Sequence, residues 1–451
     1  MPTLLITGAA VATVAPSGTE HRRGFVVVDD GVVTAVGEGE PPAGTTADRV
    51  VDGTGHLLTP GFVNTHHHLY QWATRGFAVD AGLFEWLTTL YPVWARLDAV
   101  DVEAAARAGL ARLALTGCTT TSDHHYLHPH DGGDQLAATI AAARTVGLRF
   151  SPTRGSMDLG TSAGGLPPDS VVETIDTVLA ATDDAVRRHH DTSPGSMVRI
   201  GAAPCSPFSV TPDLLRQTAA QAAELRIRRH THLAETADEE EFCARTFGRR
   251  PVEVLEDLGW LGPDVWLAHC VHLSDSDIAA LARTGSSVAH CPSSNARLGA
   301  GMARAHDLLA AGVSVGLGVD GAASSEQGSL ADELRQMVYT ARLRGGPDTM
   351  SARDALRAAT IGGAGALGRA AEIGSIEVGK RADLALWDLR GLGHADLDDP
   401  VVALVIGPTP PLRLSTVEGR VVVEDGELRT TSEQQAVADL VAARRRVLSR
   451  P

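Results

Sequence analysis

Residues 58–70 read LTPGFVNTHHHLY, and the fold follows from what must surround them. A Pro-Gly breaker is followed by the short apolar run Phe62–Val63, the mark of a buried strand, and the run ends in His66, His67 and His68. Side chains alternate along an extended chain, so His66 and His68 share a face and His67 points the other way. Two imidazoles on one face at a strand end are half of a metal site, whereas three adjacent histidines in a solvated turn are the bland alternative. Deciding between them requires other strands that end in histidine or carboxylate residues.

Such strands recur through the middle of the chain. After the histidine strand come CTTTSDHH (118–125), LRFSPTRGSM (148–157), VRIGAAPCSP (198–207), IRRHTHLAE (227–235), VWLAHCVHL (265–273), SVAHCPSSN (287–295) and VSVGLGVDG (313–321). Between them lie Ala- and Leu-rich stretches with helical spacing, such as AARAGLARLAL and LLRQTAAQAAEL. Eight strands alternating with helices predict an α/β fold, a (β/α)₈ TIM barrel. The two ends read differently. GFVVVDDGVVTAVG near the start and RLSTVEGRVVVEDGELR near the end carry Asp-Gly or Glu-Gly between Val-rich runs, a hairpin signal. The expected organisation is a small β-sandwich built from both termini, with residues 1–58 as its first part, the barrel over 59–365, and 366–451 as its second part plus a terminal helix, EQQAVADLVAARRRVL.

Composition bounds the function. The 451 residues are 43% hydrophobic and 21% charged, ordinary for a globular chain able to bury a large core. A formal net charge of −16 argues against a nucleic-acid partner and for a small-molecule substrate. No uncharged apolar run reaches about 18 residues, so no membrane span is expected. The start, MPTLLITGAAVATV, lacks a basic n-region and reads as a first strand, which places the chain in the cytoplasm. Five cysteines, an odd number without a CxxC pair, argue against a disulfide framework and a Cys-based zinc site.

The test set by the histidine strand is met. His232 closes the fifth strand, His269 the sixth and Asp320 the eighth, all at the barrel mouth that holds His66 and His68. Any one alone would be a hydrogen-bonded interior residue; together they form a site. Glu235 follows His232 by three residues, close enough to sit beside a metal without binding it, although it opens the acidic run AETADEEEF, whose ordinary role is a solvated helix start. A metal with an open position, flanked by two carboxylates, suits activation of water for attack on an sp² carbon. His124, His125 and His290 end other strands and can line the pocket, while His67 faces the wall. Residues 71–100, which hold six of the 18 aromatic side chains, and the Gly- and Pro-rich residues 156–170 are expected to form a lid.

The stretches PGFVNTHHH, HTHLAET, LAHC, SVAHCPSSNARLGAG and GLGVDG together resemble the amidohydrolase superfamily, in its mononuclear-metal, cytosine-deaminase-like branch. The resemblance spans essentially the whole chain. It implies one divalent metal per subunit, zinc with iron as the alternative, held by His66, His68, His232 and Asp320. It further implies Glu235 as proton shuttle, His269 as the histidine that orients water or substrate, Asp320 as a proton acceptor, and a homodimer. Within the branch, HHHLYQWATRGF, RGSMDLGTSAGGLPPDSVVE and HTHLAETADEEEFC are most similar to deaminases of 8-oxoguanine, which release urate and ammonia. Triazine aminohydrolases or chlorohydrolases and pterin deaminases share the framework and stay open as alternatives, as does a metal-containing ligand-binding barrel without catalysis. Cys205 in APCSP stands where adenosine-type members of the branch carry histidine, which weakens a nucleoside reading. Ser325, Glu326 and Gln327 replace an Asn-rich turn after the last strand. Gln71, Arg75, Glu85, Arg154 and Cys205 are the candidate substrate-binding residues, with salt bridges and caps as their ordinary alternative.

Overall fold

The computed structural model describes residues 3–450 and consists of two sheets joined at one seam. The first five strands are β1 (Leu4–Ala12), β2 (Glu20–Asp29), β3 (Val32–Glu38), β4 (Arg49–Asp52) and β5 (His56–Pro60). The chain then enters a closed parallel barrel of β6 (Phe62–Asn64), β7 (Cys118–His125), β8 (Arg149–Ser156), β9 (Gly201–Pro204), β10 (Arg228–Leu233), β11 (Val265–His269), β12 (Ser287–His290) and β13 (Val315–Leu317). It returns to the first sheet with β14 (Leu384–Asp388), β15 (Leu412–Val417), β16 (Arg420–Glu424) and β17 (Glu427–Leu428), and ends in the helix Glu433–Ser449.

The terminal strands make one nine-stranded sheet in the order β17-β16-β15-β14-β5-β1-β2-β3, with β4 on β1. It curls, so that Val32 at the start of β3 bridges Arg381 just before β14, and its interior is a separate core of Leu4, Ile6, Val26, Val28, Val33, Leu384 and Leu386. The hairpin signals are met in detail. Asp30 and Gly31 between β2 and β3 both take positive φ, 46° and 76°, as a tight two-residue turn with the right twist requires. A side chain at Gly31 would also strike the carbonyl of Glu418, 2.7 Å away.

Closure of the barrel depends on very short strands, and side chains complete what the backbone cannot. Only Leu317↔Asn64 pairs β13 with β6, but Asn64 Oδ1 accepts from Val319 N at 2.9 Å while its Nδ2 donates to Thr121 Oγ1 on β7 at 2.9 Å. The surrounding helices begin where caps dictate: Asp98 accepts from Asp101 N, Thr211 from Leu214 N with Pro212 at the first helical position, and Ser274 forms a capping box with Asp277. Among the described residues no helix is long and apolar enough to cross a membrane.

Two buried contacts fix the sheet to the barrel. The Trp387 ring of β14 stacks on Phe62 of β6 with centroids 5.2 Å apart, and Gly117 leaves the room it needs, since a Cβ there would lie 2.2 Å from the indole. Beside it Arg149, at the start of β8 and 0% exposed, pairs with Asp383 at 3.0 and 3.1 Å and with Glu418, and donates to the carbonyls of Gly195 and Ser196. Burial disfavours the guanidinium charge, yet the two carboxylates more than reverse that and hold it ionised. Removing the cation leaves Asp383 without its buried partner, at a cost of about 3–5 kcal/mol, while Glu418 keeps Arg381. Arg149→Met is therefore expected to lower the urea midpoint markedly, while Arg216→Met, which breaks an exposed pair with Asp213, leaves it unchanged.

Candidate active site and metal centre

At the C-terminal rim of the barrel three imidazoles converge. Ring centroids of His66, His68 and His232 lie 4.7–5.1 Å apart, and all three side chains are buried. The partner of each Nδ1 decides its tautomer. His68 Nδ1 donates to the carbonyl of His124 at 2.7 Å, and His232 Nδ1 to that of Cys205 at 2.6 Å. For His66 the lock has one more link: His230 Nδ1 donates to Trp266 O at 2.6 Å, so His230 Nε2 is an acceptor, and it takes the proton of His66 Nδ1 at 2.8 Å. In every case the lone pair is left on Nε2.

Those lone pairs face one another. His68 Nε2 and His232 Nε2 are 3.1 Å apart with no proton between them, and His66 Nε2 is buried without a hydrogen-bond partner. Asp320 Oδ1 completes the group at 3.3 Å from both His66 Nε2 and His68 Nε2. Burial holds the three imidazoles below their usual pKa, and so neutral. An arrangement of three lone pairs and a carboxylate, each buried and none satisfied by a donor of the first-named histidines, fits a divalent cation and little else. His124 also lies within reach of this group, but its Nε2 is engaged by Ala203 O at 3.0 Å and its ring stacks on His232 at 4.8 Å, so it forms the wall.

The groups suited to proton transfer sit against this cluster. Asp320 Oδ2 accepts from Ser294 Oγ at 2.5 Å and Ser324 Oγ at 2.8 Å, which aims Oδ1 at the histidines. Burial would raise its pKa, but His66, His269 and His68 hold it well below the carboxylate range. Glu235 is buried, with Oε1 3.7 Å from His269 Nε2. Burial pushes its carboxyl up to about 7, with His269 pulling down and Asp320 pushing up. His269 donates from Nδ1 to Asn295 Oδ1 at 2.9 Å; burial disfavours its cation, but the carboxylates of Glu235 and Asp320 outweigh burial and raise its pKa.

A narrow slot of only about 30 Å³ opens onto these groups, lined also by Trp86, Tyr91, Tyr126, Phe208 and the leucines Leu83, Leu87 and Leu298. Neither Arg nor Lys lines it. Most of the lid comes from the helix Leu83–Trp94, as expected of residues 71–100. Residues 156–170 do not reach the slot: Met157 and Leu166 pack behind it, with Tyr91 Oη 3.7 Å from Met157 Sδ.

Of the candidate substrate residues two line the slot and three lie away from it. Gln71 lines the slot, its Oε1 accepting from Ala323 N at 3.3 Å and its buried Nε2 unpartnered. Cys205 also lines it, and burial raises its thiol to about 12. Arg75 is exposed, its guanidinium over the Trp72 ring at 5.2 Å. Glu85 lies on the solvent side of its helix. Arg154 is buried but turned away from the slot and held by Glu173 at 2.6 and 2.8 Å. The residues the sequence reading missed are His230, Ser294, Ser324, Asn295 and Glu239. His230 had a signal, since HTH places it on the same strand face as His232. Glu239, read as part of a solvated helix start, is 0% exposed.

Residues 57–423 match the amidohydrolase family. The chain is 46% identical to 8-oxoguanine deaminase of Pseudomonas aeruginosa over 86% of its own length and 87% of that protein. It is 35% identical to an isoxanthopterin deaminase from an unknown prokaryotic organism, over 94% and 93% of the two chains. Among solved structures, atrazine chlorohydrolase from Arthrobacter aurescens TC1 complexed with zinc superposes with a TM-score of 0.92 at 32% identity, covering 98% of this chain and all of the other.

Metal analysis of purified variants checks the ligand set. The expected content is about one divalent ion per chain in the wild type, falling toward zero in His66→Gln, His68→Gln and His232→Gln. His67→Gln, whose ring instead meets Trp72 Nε1 at 3.4 Å, is expected to keep the ion.

Proposed function

The chain belongs to the amidohydrolase family, and on that premise we propose that it is a metal-dependent deaminase that hydrolyses an aminated heterocycle, 8-oxoguanine, to urate and ammonia. The observation that carries the chemistry is the pairing of the tautomer-locked histidine group with a second, unligated carboxylate, Glu235, across the same slot. His66, His68, His232 and Asp320 are the residues that would hold the ion, for which zinc is the reading and iron the alternative. When bound, a divalent cation there makes water acidic enough to attack at neutral pH, with a pKa of about 7.

The protein's own groups supply the remaining steps. Asp320 Oδ1 takes a proton from the attacking water, its Oδ2 being fixed by Ser294 and Ser324. Glu235, whose pKa of about 7 suits transfer in both directions, gives a proton to the ring nitrogen beside the carbon under attack. His269, set by Asn295, orients the water and the developing alkoxide with Nε2. The proton held by Asp320 passes to the exocyclic amine while the hydroxyl on the tetrahedral carbon gives its proton back to Glu235; the C–N bond breaks, and ammonia leaves with the bonding electron pair. Water has then supplied the new carbonyl oxygen.

Substrate class follows from the slot. The aromatic side chains lining it suit stacking on a flat ring, and its lack of cationic side chains disfavours carboxylates and phosphates. Gln71 Nε2 offers a buried donor to a ring carbonyl. The near relative that acts on 8-oxoguanine supports that base in particular. Leu83, Leu87 and Leu298 would equally suit an alkylamino side chain, so a triazine is the second reading.

Ammonia release from 8-oxoguanine, guanine, isoxanthopterin and hydroxyatrazine by metal-replete enzyme decides between them. The expected result is kcat/KM for 8-oxoguanine at least about tenfold above the others, and a loss of about 10²–10⁴-fold in kcat for Glu235→Gln. Release from another ring alone would keep the site and discard the substrate; an active Glu235→Gln would refute the shuttle. Gln71→Leu is expected to raise KM about tenfold with little change in kcat, as loss of a uniform binding contact does.

A further inference from the structure

We infer that Glu239 is a positioning residue for catalysis, acting through Glu235; the inference rests on the deaminase reading above. The observation is a carboxylate placed where a capping side chain would not go. Glu239 is the third residue of the helix Ala237–Phe247, whose N-cap is Thr236. In a capping box a Glu at that position accepts the N–H of the N-cap residue itself. Here it reaches past the cap: Oε1 accepts from Ala234 N at 2.9 Å and Oε2 from Glu235 N at 3.0 Å. Thr236 Oγ1 is left buried without a partner, so helix capping does not explain the geometry.

The two bonds hold the two peptide units on either side of Ala234, the bend that precedes Glu235. Ala234 takes φ +50°, a left-handed conformation that a non-glycine residue adopts only when held there. Its N–H is held by Glu239, and its carbonyl accepts from Val271 N at 2.9 Å and His272 N at 3.0 Å. The bend is thus clamped between Glu239 on one side and the chain just after His269 on the other. A relaxed Ala234 would rotate the following residue and swing the Glu235 carboxylate away from His269. Accepting two N–H bonds needs both oxygens, so Gln is not a substitute: its amide would set an NH₂ against one backbone N–H.

The test separates positioning from mere support of the fold. Glu239→Gln and Glu239→Ala are expected to lose about 10²-fold in kcat with KM within about threefold, the scale of a misplacement of about 1 Å at a reacting group. Metal content is expected to stay at the wild-type level. In a double-mutant cycle, adding Glu239→Gln to Glu235→Gln is expected to cost less than about threefold more, because the residue acts only through the one already removed. Crystal structures of the two variants should show the Glu235 carboxylate displaced from its 3.7 Å approach to His269 Nε2. Full additivity in the cycle, or a Glu235 that has not moved in either variant structure, overturns the inference. Should the wild type release ammonia from no heterocycle, the deaminase reading fails, and the variant structures alone decide whether Glu239 positions Glu235.

Discussion

Three lone pairs pointed at one another inside a barrel are repulsive, and the rest of this structure is arranged to enforce that repulsion. Each imidazole would turn to satisfy itself if it could. Backbone carbonyls of His124 and Cys205, and the His230–Trp266 relay, take the Nδ1 protons and forbid it. The energy of the folded chain without a cation is therefore raised locally, and ion binding relieves it. Because these carbonyls belong to the barrel strands or to the residues just beyond them, the tautomers are set by the fold itself and not by mobile loops.

Buried carboxylates are the second constraint. Glu235, Glu239 and Glu333 all lie within the barrel mouth region and burial pushes each up, to about 7, 7 and 8. Asp320 goes the opposite way because His66 and its neighbours face it. Two carboxylates of one site are thus set apart in proton affinity, the condition that lets one accept a proton while the other donates. The difference in environment is concrete: Asp320 has two serine hydroxyls and the histidines, whereas Glu235 has a single neighbouring imidazole and apolar walls.

What the sequence made legible was whatever depends on period and position along a strand. Alternation put His66 and His68 on one face, and strand ends supplied His232, His269 and Asp320. The same alternation, applied to HTH, would have placed His230 beside His232. Helical period would likewise have excluded Glu85, since Leu83, Trp86, Leu87, Leu90, Tyr91 and Trp94 turn inward and Glu85 falls between their rows. Arg154 lies away from the slot for a different reason. A cation at a strand end looks available until its partner is known, and Glu173 comes from a segment whose path no local pattern fixes. Glu239 was hidden by composition: among four consecutive acidic residues, one is buried and serves the backbone, and nothing local distinguishes it.

The strained residues tie these observations together. Ala234, His269, Cys270 and Asp320 all adopt positive φ, between 50° and 68°, at the ends of β10, β11 and β13. Outside glycine such conformations cost roughly 1 kcal/mol or more each and persist only where neighbours over-determine them. Here the neighbours are the adjacent strand ends. Cys270 N donates to Leu233 O, Val271 N and His272 N to Ala234 O, and Asp320 N to His66 O. Each bent strand end is held by an adjacent element, the end of β10 by the chain after β11 and Asp320 by His66 after β6. The bends turn His269, Glu235 and Asp320 out of strand alternation and toward a common centre. A regular strand end would point them into the barrel or its wall, and the chemistry of the site therefore depends on strain that the barrel, and not any single ligand, sustains.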